Sequence, residues 1–177
     1  MYASRTGTKR NLAALRAAGW RLMVSATGAH RTEGFRYALD NGAWTAHQQG
    51  LPFDFGAFER VVAGLGAGAD FIVAPDIVGA GLASLRLSEE WLPRLDGIGA
   101  RRLVAVQDGM RPDDVAPLLG PEIGIAVGGS TAWKLDTMRA WGTLARSACA
   151  HLHVLRVNTA RRIRMCQDAP IPATAPA

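Results

Sequence analysis

The sequence predicts an α/β fold built on parallel strands, and three observations carry that expectation. Short continuous apolar runs, such as Phe71-Ile72-Val73-Ala74 and Ile125-Ala126-Val127, recur along the chain. Parallel strands are buried on both faces and read this way. Segments with apolar residues at helical spacing separate the runs. Finally, the runs stop on polar or glycine-rich turns: Asp40-Asn41-Gly42, Pro75-Asp76, Gln107-Asp108-Gly109 and Gly128-Gly129-Ser130. Folds of this class place their sites at the carboxyl ends of strands.

The elements follow in order. Arg10 to Ala18 reads as a short helix stopped by Gly19. Arg21 to Ala26 is a strand, and Thr27 to Gly34 a polar loop. Arg36 to Asp40 is the next strand. Asp54 caps a helix whose apolar face is Phe55, Phe58, Val61, Val62 and Leu65. Phe71 to Ala74 is a strand, and Ser88 with Glu89 and Glu90 opens a helix through Leu95. Leu103 to Gln107 and Ile123 to Val127 are strands. Trp133 to Cys149 is the longest helix, with Met138, Trp141, Leu144 and Ala148 on one face. His151 to Val157 is a strand, and Thr159 caps a basic helix to about Gln167.

About six parallel strands joined by right-handed crossovers predict a sheet that curls toward a TIM-type barrel or stays an open doubly wound sheet, and a barrel of this length is truncated or incomplete. A complete eight-stranded barrel needs ~200 residues or more, and this chain has 177. A second copy of the chain could complete it. Residues 1–168 are expected to form one domain, followed by a Pro/Ala-rich extended tail over 169–177.

Composition excludes several classes. Apolar residues make up 49% and charged residues 20%, which is globular and not disordered. No apolar run approaches the ~20 residues of a membrane helix, and Met1-Tyr2-Ala3-Ser4-Arg5 carries no signal-peptide core. A cytoplasmic protein without a membrane partner is expected. Cys149 and Cys166 lack metal-ligand spacing, so no metal and no cofactor is expected. The formal net charge is +5, and lysine occurs only at Lys9 and Lys134. Arginine forks onto phosphate, and Arg156, Arg161, Arg162 and Arg164 form a tight cluster that suits a polyanion, with Arg156, Arg161 and Arg162 expected on a nucleic-acid backbone.

The polar strand ends suggest a base-reading pocket. A carboxylate such as Asp40 or Asp76 can accept from N1–H and the 2-amino group of a guanine edge. Gln107 and the backbone of Gly128, Gly129 and Ser130 can donate to O6. Phe35, Tyr37 or Trp44 could stack on the ring. His151 and His153 lie on one side of the last strand and read as structural or pocket-lining.

Taken in order, these motifs resemble the tRNA-guanine transglycosylase superfamily. The matching segments are Asp40-Asn41-Gly42-Ala43-Trp44, the strand ending at Asp76, Val106-Gln107-Asp108-Gly109, Ala126 to Gly129 and the His-led stretch from His151 to Cys166. The chain is most similar to short phage and bacterial members that place 7-deazaguanine in DNA. The resemblance implies a (β/α)8 TIM-type barrel, here truncated or incomplete, and exchange of guanine in DNA or tRNA for a 7-deazaguanine-type base. It implies Asp40 as the acid/base carboxylate, and Asp76, Gln107 and Gly129 as base readers. The family's nucleophilic Asp lies on a strand that would start near Ala169, where this chain reads Ala169-Pro170-Ile171-Pro172. Asp168 is the last carboxylate before it. A base- or nucleic-acid-binding subunit without transfer, or a base-releasing glycosidase, therefore stays open beside exchange.

Overall fold

The computed structural model describes residues 1–4, 8–157, 159, 162–164 and 166. Among them seven strands alternate with six α-helices, so the α/β class holds. The strand count expected from sequence was about six, and the seventh is Tyr2–Ser4. It was missed because three residues with a half-exposed pattern carry no periodicity. Its partner makes it a strand: Ala3 stands in register with Leu22. The chain divides into two compact units, Met1–Val73 with Leu95–Ala100, and Ala74–Arg94 with Arg101–Ala177.

The first unit holds β1 (Tyr2–Ser4), α1 (Lys9–Ala17), β2 (Arg21–Ser25), β3 (Tyr37–Asp40), α2 (Ala43–Gln48), α3 (Phe55–Leu65) and β4 (Phe71–Val73). The strands pair in parallel and in chain order, with Val24 opposite Leu39 and Leu39 opposite Ile72. Leu22, Leu39 and Ile72 are fully buried, as both-face coverage of a parallel sheet requires. Asp54 caps α3 as expected, its Oδ1 accepting from the Ala57 N–H at 2.8 Å. The buried face of α3 is Ala57, Phe58 and Val61, whereas Phe55 is 40% exposed at the first turn. Burying Phe58 contributes about 1.5–3 kcal/mol. α2 was not expected, because Asn41 and Gly42 read as a plain turn. Instead Asn41 is buried and its Oδ1 accepts from the Ala43 N–H at 2.9 Å, starting the helix. At the amino ends of these strands, Asp70 accepts from Tyr2 Oη (2.9 Å), Arg21 Nη1 (3.1 Å) and Arg36 Nη2 (2.6 Å).

The second unit holds α4 (Leu82–Trp91), β5 (Arg101–Val106), α5 (Pro112–Val115), β6 (Ile123–Val127), α6 (Thr131–Ser147) and β7 (Leu152–Val154). These strands are also parallel, with Val104 opposite Ile125 and Ile125 opposite Leu152. α4 begins before Ser88, which is no cap. Ser88 is fully buried mid-helix and its Oγ donates to the Pro75 carbonyl at 2.9 Å. α6 starts at Thr131 with Ser130 as its cap, and it ends at Ser147. Cys149, expected inside this helix, lies beyond it with φ +51°. Lys134, Met138, Trp141 and Ala145 form its buried stripe. β7 is shorter than expected because the chain turns at Arg156, where φ is +58°. Thr159 Oγ1 accepts from the Arg162 N–H at 3.2 Å, and the basic helix expected to run from it to about Gln167 lies in part outside the described residues. Arg161, Asp168 and the 169–177 tail lie outside the described residues. No helix among the described residues is long and apolar enough to cross a membrane.

Candidate base-binding site

Asp40 belongs to the first unit, where it ends β3 and its carbonyl accepts from the Ala26 N–H at 2.9 Å. The chain leaves it through Gly42, whose φ of +84° and 3.0 Å approach of Thr27 Cγ2 to a Cβ position both favour glycine. Of the three aromatic residues considered for stacking, Phe35 is buried with the Arg16 guanidinium 4.4 Å from its ring centre. Tyr37 donates its hydroxyl to the Leu65 carbonyl at 2.8 Å. Trp44 is the exposed one, at 38%.

Asp76, Gln107, Gly128, Gly129, Ser130, Arg156 and Arg162 all belong to the second unit. Gln107 follows β5 and is 3% exposed. A buried amide is costly unless each end is paired, and here both ends are. Nε2 donates to Ser84 Oγ (2.7 Å), to the Ile77 carbonyl (2.9 Å) and, more weakly, to Asp76 Oδ2 (3.3 Å). Oε1 accepts from the Gly79 N–H. Ser84 in turn accepts from the Ile77 N–H at 3.0 Å. Gln107 thus ties down the whole turn from Asp76 to Gly79, and the Asp76 carboxylate is held half-exposed above it.

The second turn is built the same way. Asp108 accepts from Ser130 twice, from its N–H to Oδ2 and from its Oγ to Oδ1. Burial pushes the Asp108 carboxyl up, but the Ser130 donors, its own amide and the Arg156 charge together bring it below the usual value. Gly128 donates its N–H to the Val106 carbonyl at 2.8 Å. Gly129 has φ +70°, and a Cβ there would stand 2.6 Å from Asp108 Oδ2 and 2.7 Å from Trp133 Cε3. Of the three backbone N–H groups at 128–130, those of Gly128 and Ser130 are committed within the chain. Gly129 N–H has no acceptor among the described residues. Arg156 donates to the Gly129 carbonyl.

Cations gather beside this turn. Lys134 is 7% exposed, and its Nζ donates to the Leu155 carbonyl at 2.9 Å. Burial first, then the Arg156 and Arg162 charges, push its ammonium down to about 8. Arg162 Nη2 donates to Thr131 Oγ1 at 3.1 Å. Sequence reasoning missed Lys134, yet a signal was present: it falls one and two turns before Met138 and Trp141 on the apolar stripe. His153 is held neutral by burial and by His151 beside it, its imidazolium pushed down to about 3. Among the described residues no group of three or more His, Cys, Asp or Glu is placed to hold a metal ion.

No family model matches the chain, and neither a curated protein nor a solved structure shows significant similarity to it.

Proposed function

We propose that this chain is a transglycosylase-type protein that reads a guanine-class base and exchanges guanine in DNA or tRNA for a 7-deazaguanine-type base. The truncated TIM-type barrel, completed by a second copy, is part of the same proposal. The observation that carries it is the presence of two hydrogen-bonded turns in the second unit. One holds the Asp76 carboxylate in place through Gln107. The other holds the Gly129 backbone through the Asp108–Ser130 pair. A guanine edge asks for this combination: an acceptor for N1–H and the 2-amino group, and a donor for O6. Gln107 acts in this reading as the positioning residue for Asp76, since its own amide is spent on the loop. Arg156, Arg161 and Arg162 take phosphate, and Asp40 carries the acid/base role that the resemblance implies.

Incubation with labelled guanine or 7-deazaguanine and either DNA or tRNA tests it. Label should enter one nucleic acid, and Asp40→Ala should abolish entry while Asp76→Asn weakens base binding. Base binding without label entry would reduce the protein to a binding subunit. Release of free base from nucleoside without exchange would make it a glycosidase. Failure of any guanine-class base to bind would overturn the reading.

A further inference from the structure

A small pocket lies under the first turns of α6, lined by Thr131, Lys134, Met138, Val154, Arg156 and Arg162. Its floor is apolar, and three cationic side chains share it. Like charges brought together in a partly dry site repel. Arg156 and Arg162 both disfavour the Lys134 charge, and Arg162 disfavours that of Arg156, which Asp108 and Asp76 favour. The carboxylate acting on Lys134 is Asp108, whose two oxygens already accept from Ser130. The amine itself donates to one carbonyl, that of Leu155, and no second acceptor is found for it among the described residues. A lysine placed on an apolar helix stripe, with spare protons and two arginine neighbours, is a costly arrangement for packing alone.

We infer that this pocket is an oxyanion site that takes one phosphoryl group, with Lys134 as its buried ammonium and Arg156 and Arg162 as its flanking guanidinium groups. The inference rests on the phosphate role given above to Arg156 and Arg162 and adds Lys134 and a defined single site. The phosphoryl group has two sources, an internal phosphodiester of a strand or the terminal phosphate of a mononucleotide. The charged and titratable groups facing Lys134 are Arg156 beyond β7, Arg162 and Cys166 from the basic segment, and Asp108 after β5. Arginine keeps its charge throughout the accessible range. Burial raises the Cys166 thiol, although Lys134 opposes this. Between neutral and alkaline pH the site therefore weakens by losing the Lys134 proton.

Sulfate is the probe, since it does not titrate there. Calorimetric binding to the full chain at constant ionic strength should weaken about tenfold between roughly pH 7 and 9.5. Lys134→Gln should weaken binding about tenfold near pH 7 and abolish the pH dependence, whereas Lys134→Arg should bind at both pH values. Either guanosine 5′-monophosphate or a dinucleotide without terminal phosphate should displace sulfate, and which one does names the source. The inference falls if sulfate binds equally at both pH values. It falls equally if a cooperatively melting Lys134→Gln binds as the parent does, or if neither nucleotide competes. None of these readings involves base exchange, so sulfate binding that survives Asp76→Asn separates this site from the base-reading proposal.

Discussion

Ser130 gives both of its protons to one carboxylate: its N–H reaches Asp108 Oδ2 and its hydroxyl reaches Asp108 Oδ1, each at 2.6 Å. The same hydroxyl accepts from the Trp133 N–H at 3.3 Å and so caps α6. One serine therefore joins the turn after β5 to the start of the helix after β6.

That pair sets an acid dependence. The Asp108 carboxyl lies below its ordinary value in the folded protein, so the folded state favours the ionised form. Its contribution is present above the unfolded carboxyl value and is lost as pH falls through that value toward the folded one. Asp108→Asn should lower stability by about 1 kcal/mol near neutral pH, a figure already reduced for partial exposure. Denaturant midpoints measured from about pH 6 down to 3 should show the gap to the parent closing.

Gln107→Leu should be more damaging than its conservative volume suggests. It removes the side-chain partner of the Gly79 N–H, the Ile77 carbonyl and the buried Ser84 Oγ, of which the carbonyl keeps the Ala80 N–H and the hydroxyl keeps the Ile77 N–H. A loss of about 1–2 kcal/mol follows from the hydrogen bonds removed. Ser84→Ala removes fewer partners and should cost about 1 kcal/mol. Urea unfolding of both variants checks the ranking, and under the proposed function a base-binding titration should show Gln107→Leu impaired through the turn that carries Asp76.

Gly129→Ala tests the turn that presents its backbone. A β-carbon meets Asp108 Oδ2 at 2.6 Å and Trp133 at 2.7 Å, on a backbone with φ +70°. The loss should be about 2–4 kcal/mol. Gly120, where nothing lies within 4 Å of a Cβ, is the control, and Gly120→Ala should leave the thermal midpoint nearly unchanged.

Asp70→Asn addresses the other end of the strands in the first unit. Its carboxylate is 12% exposed and collects the Tyr2 hydroxyl, Arg21 and Arg36. Removing the charge leaves the two guanidinium groups without their counter-charge, although Arg21 still donates to the Tyr2 hydroxyl at 3.2 Å. Arg36 is 65% exposed and is rescued by water, so the expected loss is about 1–3 kcal/mol and not the larger figure for a dry pair. The effect should shrink in 1 M salt only slightly, because Asp70 itself is sheltered.

Much of this was readable along the chain where a signal is local. Apolar runs bounded by Asp, Gly or Pro marked the strands from Arg21 through Val127, and Asp54 declared itself as a cap. Short elements escaped: β1, α2 and α5 are too brief for a period to show. Ser88 misled because a serine before two acids looks like a cap, whereas here a buried carbonyl, that of Pro75, takes its hydroxyl.

The sequence by itself determined the class of fold, the order of its strands and helices, and which polar residues stand at the strand ends. Periodicity and turn chemistry act over a few residues, and those few residues were enough. Only the tertiary structure decided what each polar group is for. Gln107 meets Ser84 across 23 positions, Ser130 meets Asp108 across 22 and Lys134 meets Leu155 across 21. Buried donors and acceptors must find partners wherever the packed chain brings them, and that pairing is written in three dimensions and not in spacing.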